Sequence, residues 1–268
     1  MNDSTLDLAR ANLYRYLSLA PLAPSDERFA ALYDNDFRAV TIAAVEWLRD
    51  ESSFHPQTLG PGELHPSQLD VTRLFPDEED IPEAYLEVFG HTISKECPPY
   101  EGEYYANSDI TFRSQKLADV AGFYRAFGLD RRAKARGRID FLSFEAEFME
   151  IVIARQLYAA EEGLGEERVD VCVQSQRRFF IEHLGWWLPA FGVRLEANTH
   201  SDYYRTLAGF VRAFTAAERA ILEIAPFTEL PSPHLGALEP EGACFSCGLA
   251  GDEGSQPPTA SVFPEAER

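Results

Sequence analysis

The stretch Glu96-Cys97-Pro98-Pro99-Tyr100-Glu101-Gly102-Glu103-Tyr104-Tyr105 places three carboxylates and three phenols within ten residues. Such groups recognise better than they react. Carboxylates accept the paired N–H groups of a guanidinium, and tyrosine rings give apolar area with a polar tip. Pro98 and Pro99 stiffen the segment and remove two backbone donors. A stiff acidic-aromatic loop suits gripping a peptide. It equally suits a plain helix connection whose tyrosines cover a core.

Other residues could carry chemistry. Cys244-Phe-Ser-Cys247 is a single CxxC, half of the four ligands that a structural zinc takes. A redox CxxC opens a helix in a βαβ setting, which this sequence lacks. Glu145, Glu147 and Glu150 resemble a carboxylate metal cluster, yet a di-metal bundle uses Glu-x-x-His repeats, and none occurs. The solvated face is the expected place for Glu150. Glu147 lies between Phe144 and Phe148 on an apolar side and should meet an arginine. The six histidines, His55, His65, His91, His183, His200 and His234, are scattered. His183 sits in an aromatic helix and reads as a core residue, as does Cys172. No Gly-rich phosphate loop, HExxH or GxSxG is present.

The elements around these residues read as helices. Leu6, Ala9, Leu13, Tyr16 and Leu17 share one face of a first helix that Ser4 or Thr5 can cap and Pro21 ends. Ser25 can cap a second helix, and 39–48 forms a third. Residues 51–70 read as loop. Asp80 can start a helix that runs to Gly90. Phe112 to Phe127 is helical, with Gly128 placed as its C′ residue. Asp140 can cap a long helix closing near Gly163. Further helices are expected over 167–184, 185–197 and 201–224. No period-2 pattern competes. The prediction is an all-α fold, one domain of about nine helices over 1–225. From Pro226 onward the chain holds seven prolines, five glycines and many acids. It is expected to form a mostly disordered tail over 226–268.

Composition narrows the function. The 268 residues carry 24 basic and 44 acidic side chains, a net charge of −20. Such a surface repels phosphate backbones and excludes nucleic acid as a partner, while attracting basic segments. Arginine outnumbers lysine 21 to 3, which fits a salt-adapted or GC-rich host or a generic acidic surface. No apolar run reaches the roughly 18 residues of a membrane span. The N-terminus has no secretory pattern. The expected location is the cytoplasm.

Together the motifs resemble the TorD/DmsD/NarJ family of molybdoenzyme maturation chaperones over about residues 6–224. Arg10-x-x-Leu13-Tyr14-x-Tyr16-Leu17-Ser18 is similar to its first helix. Tyr85-x-x-x-Phe89 followed by Pro98-Pro99-Tyr100-Glu101 is similar to its acidic-aromatic loop. Val120-x-x-Phe123-Tyr124-x-x-Phe127-Gly128-Leu129 and Arg138-Ile139-Asp140-Phe141-Leu142 with Glu145-x-Glu147-Phe148-Met149 continue the pattern. His183-Leu184-x-x-Trp187-x-Pro189 and Tyr203-Tyr204-x-x-Leu207-Ala208 complete it. The resemblance implies an all-helical protein with no catalysis and no cofactor of its own. Its partner is then the apo catalytic subunit of a molybdopterin oxidoreductase, often bound at a twin-arginine signal peptide and held until cofactor insertion. Monomer and domain-swapped dimer both fit. The family's Pro-Asp-His is Ile139-Asp140-Phe141 here, so a role of that histidine does not carry over. A nitrate-reductase-type client therefore fits as well as a signal peptide.

The expected binding face has aromatic walls and an acidic rim: Tyr100, Glu101, Asp140, Phe141 and Glu147, with Pro98 and Pro99 fixing the loop. Asp140 as a helix cap and Glu101 as a tether are the competing readings. Two alternatives belong to other classes: a metal- or redox-responsive adaptor acting through Cys244 and Cys247, and a helical metal-dependent hydrolase.

Overall fold

A computed structural model describes residues 3–90, 94–106, 109–129 and 137–233. His91, His234, Cys244, Cys247, basic residues 131–136 and all of 234–268 lie outside the described residues. Those described belong to one unit, Met1–Leu235.

Eight α-helices occur among them: α1 (Asp3–Leu19), α2 (Asn35–Asp50), α3 (Ile81–Phe89), α4 (Ile110–Ala126), α5 (Leu142–Glu161), α6 (Glu166–Phe179), α7 (Leu188–Ala197) and α8 (Asp202–Ile221). The described residues form no strand, and the all-α reading holds. Helix α1 packs along α5, α5 along α6, α7 along α8, and α1 along α2. Between them lies an aromatic core. Trp187, Tyr14, Tyr16, Tyr204, Phe148 and Phe214 are among its fully buried side chains.

Local sequence explains most boundaries. The Asp34 carboxylate accepts the Phe37 amide at 2.8 Å and starts α2. Asp109 accepts the Thr111 and Phe112 amides at 2.7 and 3.1 Å and starts α4; both are side-chain N-caps. Gly128 ends α4 at φ +63°, where Leu129 N–H reaches Tyr124 C=O at 2.8 Å, the double-turn closure that a glycine permits. Expected caps are corrected: Ser4 and Thr5 lie inside α1, and Asp80 makes no side-chain cap bond at α3. Asp26, not Ser25, caps the segment after α1, and that segment is a 3-10 helix, Glu27–Tyr33. Asp140 does not cap α5, whose N-cap is Phe141 with no side-chain hydrogen bond.

Helix α6 does not run unbroken to 184. It passes into a π-helical turn, Phe180–Leu184, and the Gly185 amide donates to Phe180 C=O at 2.7 Å. A Cβ on Gly185 would stand 2.3 Å from Cε1 of the Phe180 ring. Only glycine lets this wide turn close over that ring, and the turn aims His183 and Trp186 toward the 96–105 loop.

The first eight residues of the expected tail, 226–233, lie among the described residues. Phe227 packs against the core. Arg219 fastens this end of the molecule, donating to Ile224 C=O at 3.0 Å, Thr58 C=O at 2.7 Å and Glu63 at 2.8 Å.

Candidate functional site

The site forms where the 96–105 loop meets the start of α5. Glu101 N–H donates to Asp140 C=O and Leu142 N–H to Pro99 C=O, each at 3.0 Å. Tyr100 and Phe141 thus face each other as an antiparallel bridge. This is the one place where the fold pairs extended backbone among the described residues, and it clamps the loop to the helix.

Asp140, 1% exposed, drives the clamp. Its Oδ2 accepts the Gly102 amide at 2.9 Å, and its two oxygens take the Arg138 fork at 3.0 and 2.7 Å. A Cβ on Gly102 would lie 2.7 Å from Asp140 Oδ2 and 2.8 Å from Arg138 Nη2, so the close approach requires glycine. Arg138 also pairs with Glu103 and lies over the Tyr100 ring at 4.6 Å. Burial disfavours its charge, but Asp140 and Glu103 more than offset that and hold the guanidinium charged.

Glu101 is likewise 1% exposed. It accepts from Tyr105 Oη, from Trp186 Nε1 at 3.3 Å and from His183 Nδ1 at 3.2 Å. Behind it lies Glu145, fully buried, its Oε2 accepting from Trp187 Nε1 at 3.3 Å. Burial pushes the Glu145 carboxyl well above the ordinary carboxylate range, and the charges of Glu101 and Asp140 add to the shift. The shift favours the protonated form of Glu145 to higher pH than in a free glutamate.

Pro98 and Pro99 are buried and shape the loop from beneath. Tyr100, Phe141 and Phe144 remain partly open. Tyr100 and Phe141 lie 5.3 Å apart between ring centres, and Phe141 and Phe144 5.5 Å. Arg28 covers Phe144 at 5.6 Å and approaches Glu147 to 3.9 Å. Tyr85 of α3 comes close enough for the Tyr100 phenol to raise its pKa, second only to burial. The result is a surface of three adjoining rings with a guanidinium at each end and Glu103 and Glu147 outside them.

Sequence reasoning placed Tyr100, Phe141 and Glu147 in one neighbourhood, and the structure brings them there. Glu147 meets an arginine, as expected, but from a half-open surface position rather than the apolar side. Glu101 and Asp140 stand beneath the surface with their oxygens already engaged. Arg138, Gly102, Phe144 and Arg28 were missed. Only the run Arg138-x-Asp140, with a glycine beside Glu101, hinted at the internal pairing. Among the described residues no group of three or more His, Cys, Asp or Glu side chains could hold a metal ion.

Residues 74–192, which hold every part of this site except Arg28, match the model of the nitrate reductase delta subunit family. The chain is 26% identical over 212 residues to the perchlorate reductase assembly chaperone protein of Dechloromonas aromatica, covering 78% of this chain and 88% of the relative. It is 31% identical over 114 residues to the chlorate reductase assembly chaperone protein of Ideonella dechloratans, covering 42% and 56%. Chaperone protein TorD of Photobacterium profundum is 21% identical over 168 residues, covering 62% and 76%. These matches and the helical fold support the TorD/NarJ family of molybdoenzyme chaperones as the one this chain is similar to.

Proposed function

We propose that this protein is a redox-enzyme maturation chaperone. It binds the apo catalytic subunit of a molybdopterin oxidoreductase in the cytoplasm, keeps it open for cofactor insertion, and catalyses no reaction itself. The observation that carries the reading is the Tyr100–Phe141–Phe144 surface, clamped rigidly by backbone pairing and left partly open. Three relatives that are named chaperones support it. Among the described residues no helix is long and apolar enough to cross a membrane.

Energetics favour the rings over the charges. An exposed ion pair contributes about 0.2–1 kcal/mol. Covering about 50 Å² more of each ring contributes roughly 1.3 kcal/mol per ring at about 25 cal/mol per Å². A client's apolar segment lies on the rings, and Glu147 and Glu103 meet its basic residues, including those of a twin-arginine peptide. Glu101, Asp140, Pro98 and Pro99 hold the loop in shape rather than touch the client. Preorganisation of this kind lowers the ordering cost of binding.

The test is co-purification with the molybdopterin-containing catalytic subunit of the same organism, expressed with and without cofactor synthesis. The chain should bind the cofactor-free form preferentially. Phe141→Ala should weaken binding about tenfold, a loss of about 1.4 kcal/mol, with helical content unchanged. Equal affinity for wild type and Phe141→Ala would remove this surface from the client site.

A further inference from the structure

Between α4 and the 101–105 loop lies a cavity of about 190 Å³, lined by Glu101, Tyr105, Arg113, Lys116, Leu117, Arg138 and Asp140 among others. Its two carboxylates are already held by Tyr105, His183, Trp186, Gly102 and Arg138. Arg138 is committed to Asp140 and Glu103. Arg113 and Lys116 are different. They stand three residues apart on one face of α4. In a chain of net charge −20, neither forms an ion pair with a described residue. Among the described residues, Arg113 Nε is shut off from solvent with no hydrogen-bond partner. Lys116 lies over the ring faces of Tyr105 and Phe112, each at 5.9 Å.

Arg138 is shared by Asp140 and Glu103, which leaves Arg113 and Lys116 as the cations of the lining without a carboxylate partner among the described residues. A carboxylate can pair with these two, whereas a phosphate dianion adds more negative charge beside Glu101 and Asp140. The volume is well below the roughly 300–1,000 Å³ of small-molecule pockets, so a nucleotide or pterin does not enter. Leu117 and the Tyr105 ring give an apolar wall that matches an aliphatic stem. Arg113 offers the planar fork that carboxylates pair with.

We propose that this cavity is a carboxylate subsite, receiving an aspartate or glutamate side chain of the bound client. The proposal rests on the chaperone reading. It adds that the client segment carries an acid beside its apolar stretch, because Arg138 borders both the cavity and the Tyr100 ring. A free small carboxylic acid shares the same chemistry.

The probe is N-acetyl-glutamate N-methylamide, titrated into the full chain with the Arg Nε–H signals followed by NMR. The Arg113 Nε–H signal should move downfield and saturate. Lys116→Gln should raise the Kd tenfold or more, and Arg205→Gln, on the exposed side of α8, should leave it unchanged. Response to the capped glutamate without response to succinate assigns a peptide source; the reverse assigns a free acid. An equal response to the capped glutamine, or none to either acid, overturns the subsite. Should that happen while the apo subunit still binds and Phe141→Ala still weakens it, the chaperone reading stands alone.

Discussion

At the scale of single residues, the site is governed by carboxylates that face inward. Glu145 makes a prediction of definite sign. Its folded pKa is raised by burial and by Glu101, so folding takes up a proton over the pH range between the unfolded and the folded values. Its contribution is complete below the ordinary glutamate value of about 4.3. It declines as pH rises, by up to about 1.4 kcal/mol per pH unit, until the folded pKa is passed. Glu145→Gln imitates the protonated form. Its urea midpoint should match wild type near pH 4 and exceed it at pH 8, and parallel pH profiles would contradict this account. The same residues show what one-dimensional reading loses. Leu142, Glu145, Ala146 and Met149 form the inward face of α5, while Phe144, an apolar residue that suggested the core side, stands half open. That ring shifted the helix phase and put Glu147 inside instead of Glu145. Asp140 precedes a helix as a cap does, but its carboxylate is claimed by Gly102, 38 residues away, a pairing that no local pattern announces.

At the scale of elements, helix existence was plain where a 3.6-residue apolar rhythm runs through the segment, as in α2, α6 and α8. The all-α class and the order of the helices followed from it. The π-helical turn was not visible, since Phe179 to Leu184 continue that rhythm without a break. Its cause is one glycine. Gly185→Ala drives a methyl group into the buried Phe180 ring, and overpacking of this sort costs about 1–3 kcal/mol. The variant should unfold at lower urea concentration. It should also disturb Trp186, which donates to Glu101 from the next turn, so Trp fluorescence should change in the native baseline as well as in the midpoint. An unaltered baseline would separate the turn from the loop it is said to position.

At the scale of the whole molecule, a buried polar cluster joins the two ends of the helical body. Arg10 of α1 gives two hydrogen bonds to Glu218 of α8, at 2.6 and 3.0 Å, one to Asp7 at 2.8 Å and one to Gln176 of α6 at 3.0 Å. Tyr14 adds a bond to Glu218 at 2.9 Å. Removing Glu218 leaves the buried Arg10 with Asp7 as its one carboxylate, and breaking a buried pair of this kind costs about 3–5 kcal/mol. Glu218→Ala should therefore lower the Tm by roughly 10 °C. Arg10→Met combined with Glu218→Leu and Asp7→Asn should recover part of that loss, since no buried charge of the cluster is then left unpaired. A single variant within about 0.5 kcal/mol of wild type would deny the cluster its structural role. The motif around Arg10 was legible, but its partner 208 residues away was not.

That cluster also sets a schedule. A nascent chain with α1 through α7 outside the ribosome carries an arginine paired with only one of its two carboxylates, Asp7, and a seam along its first helix still open to water. Folding of this protein therefore completes only after α8 emerges, so translation must pass that last helix before the product has any capacity to shelter another polypeptide.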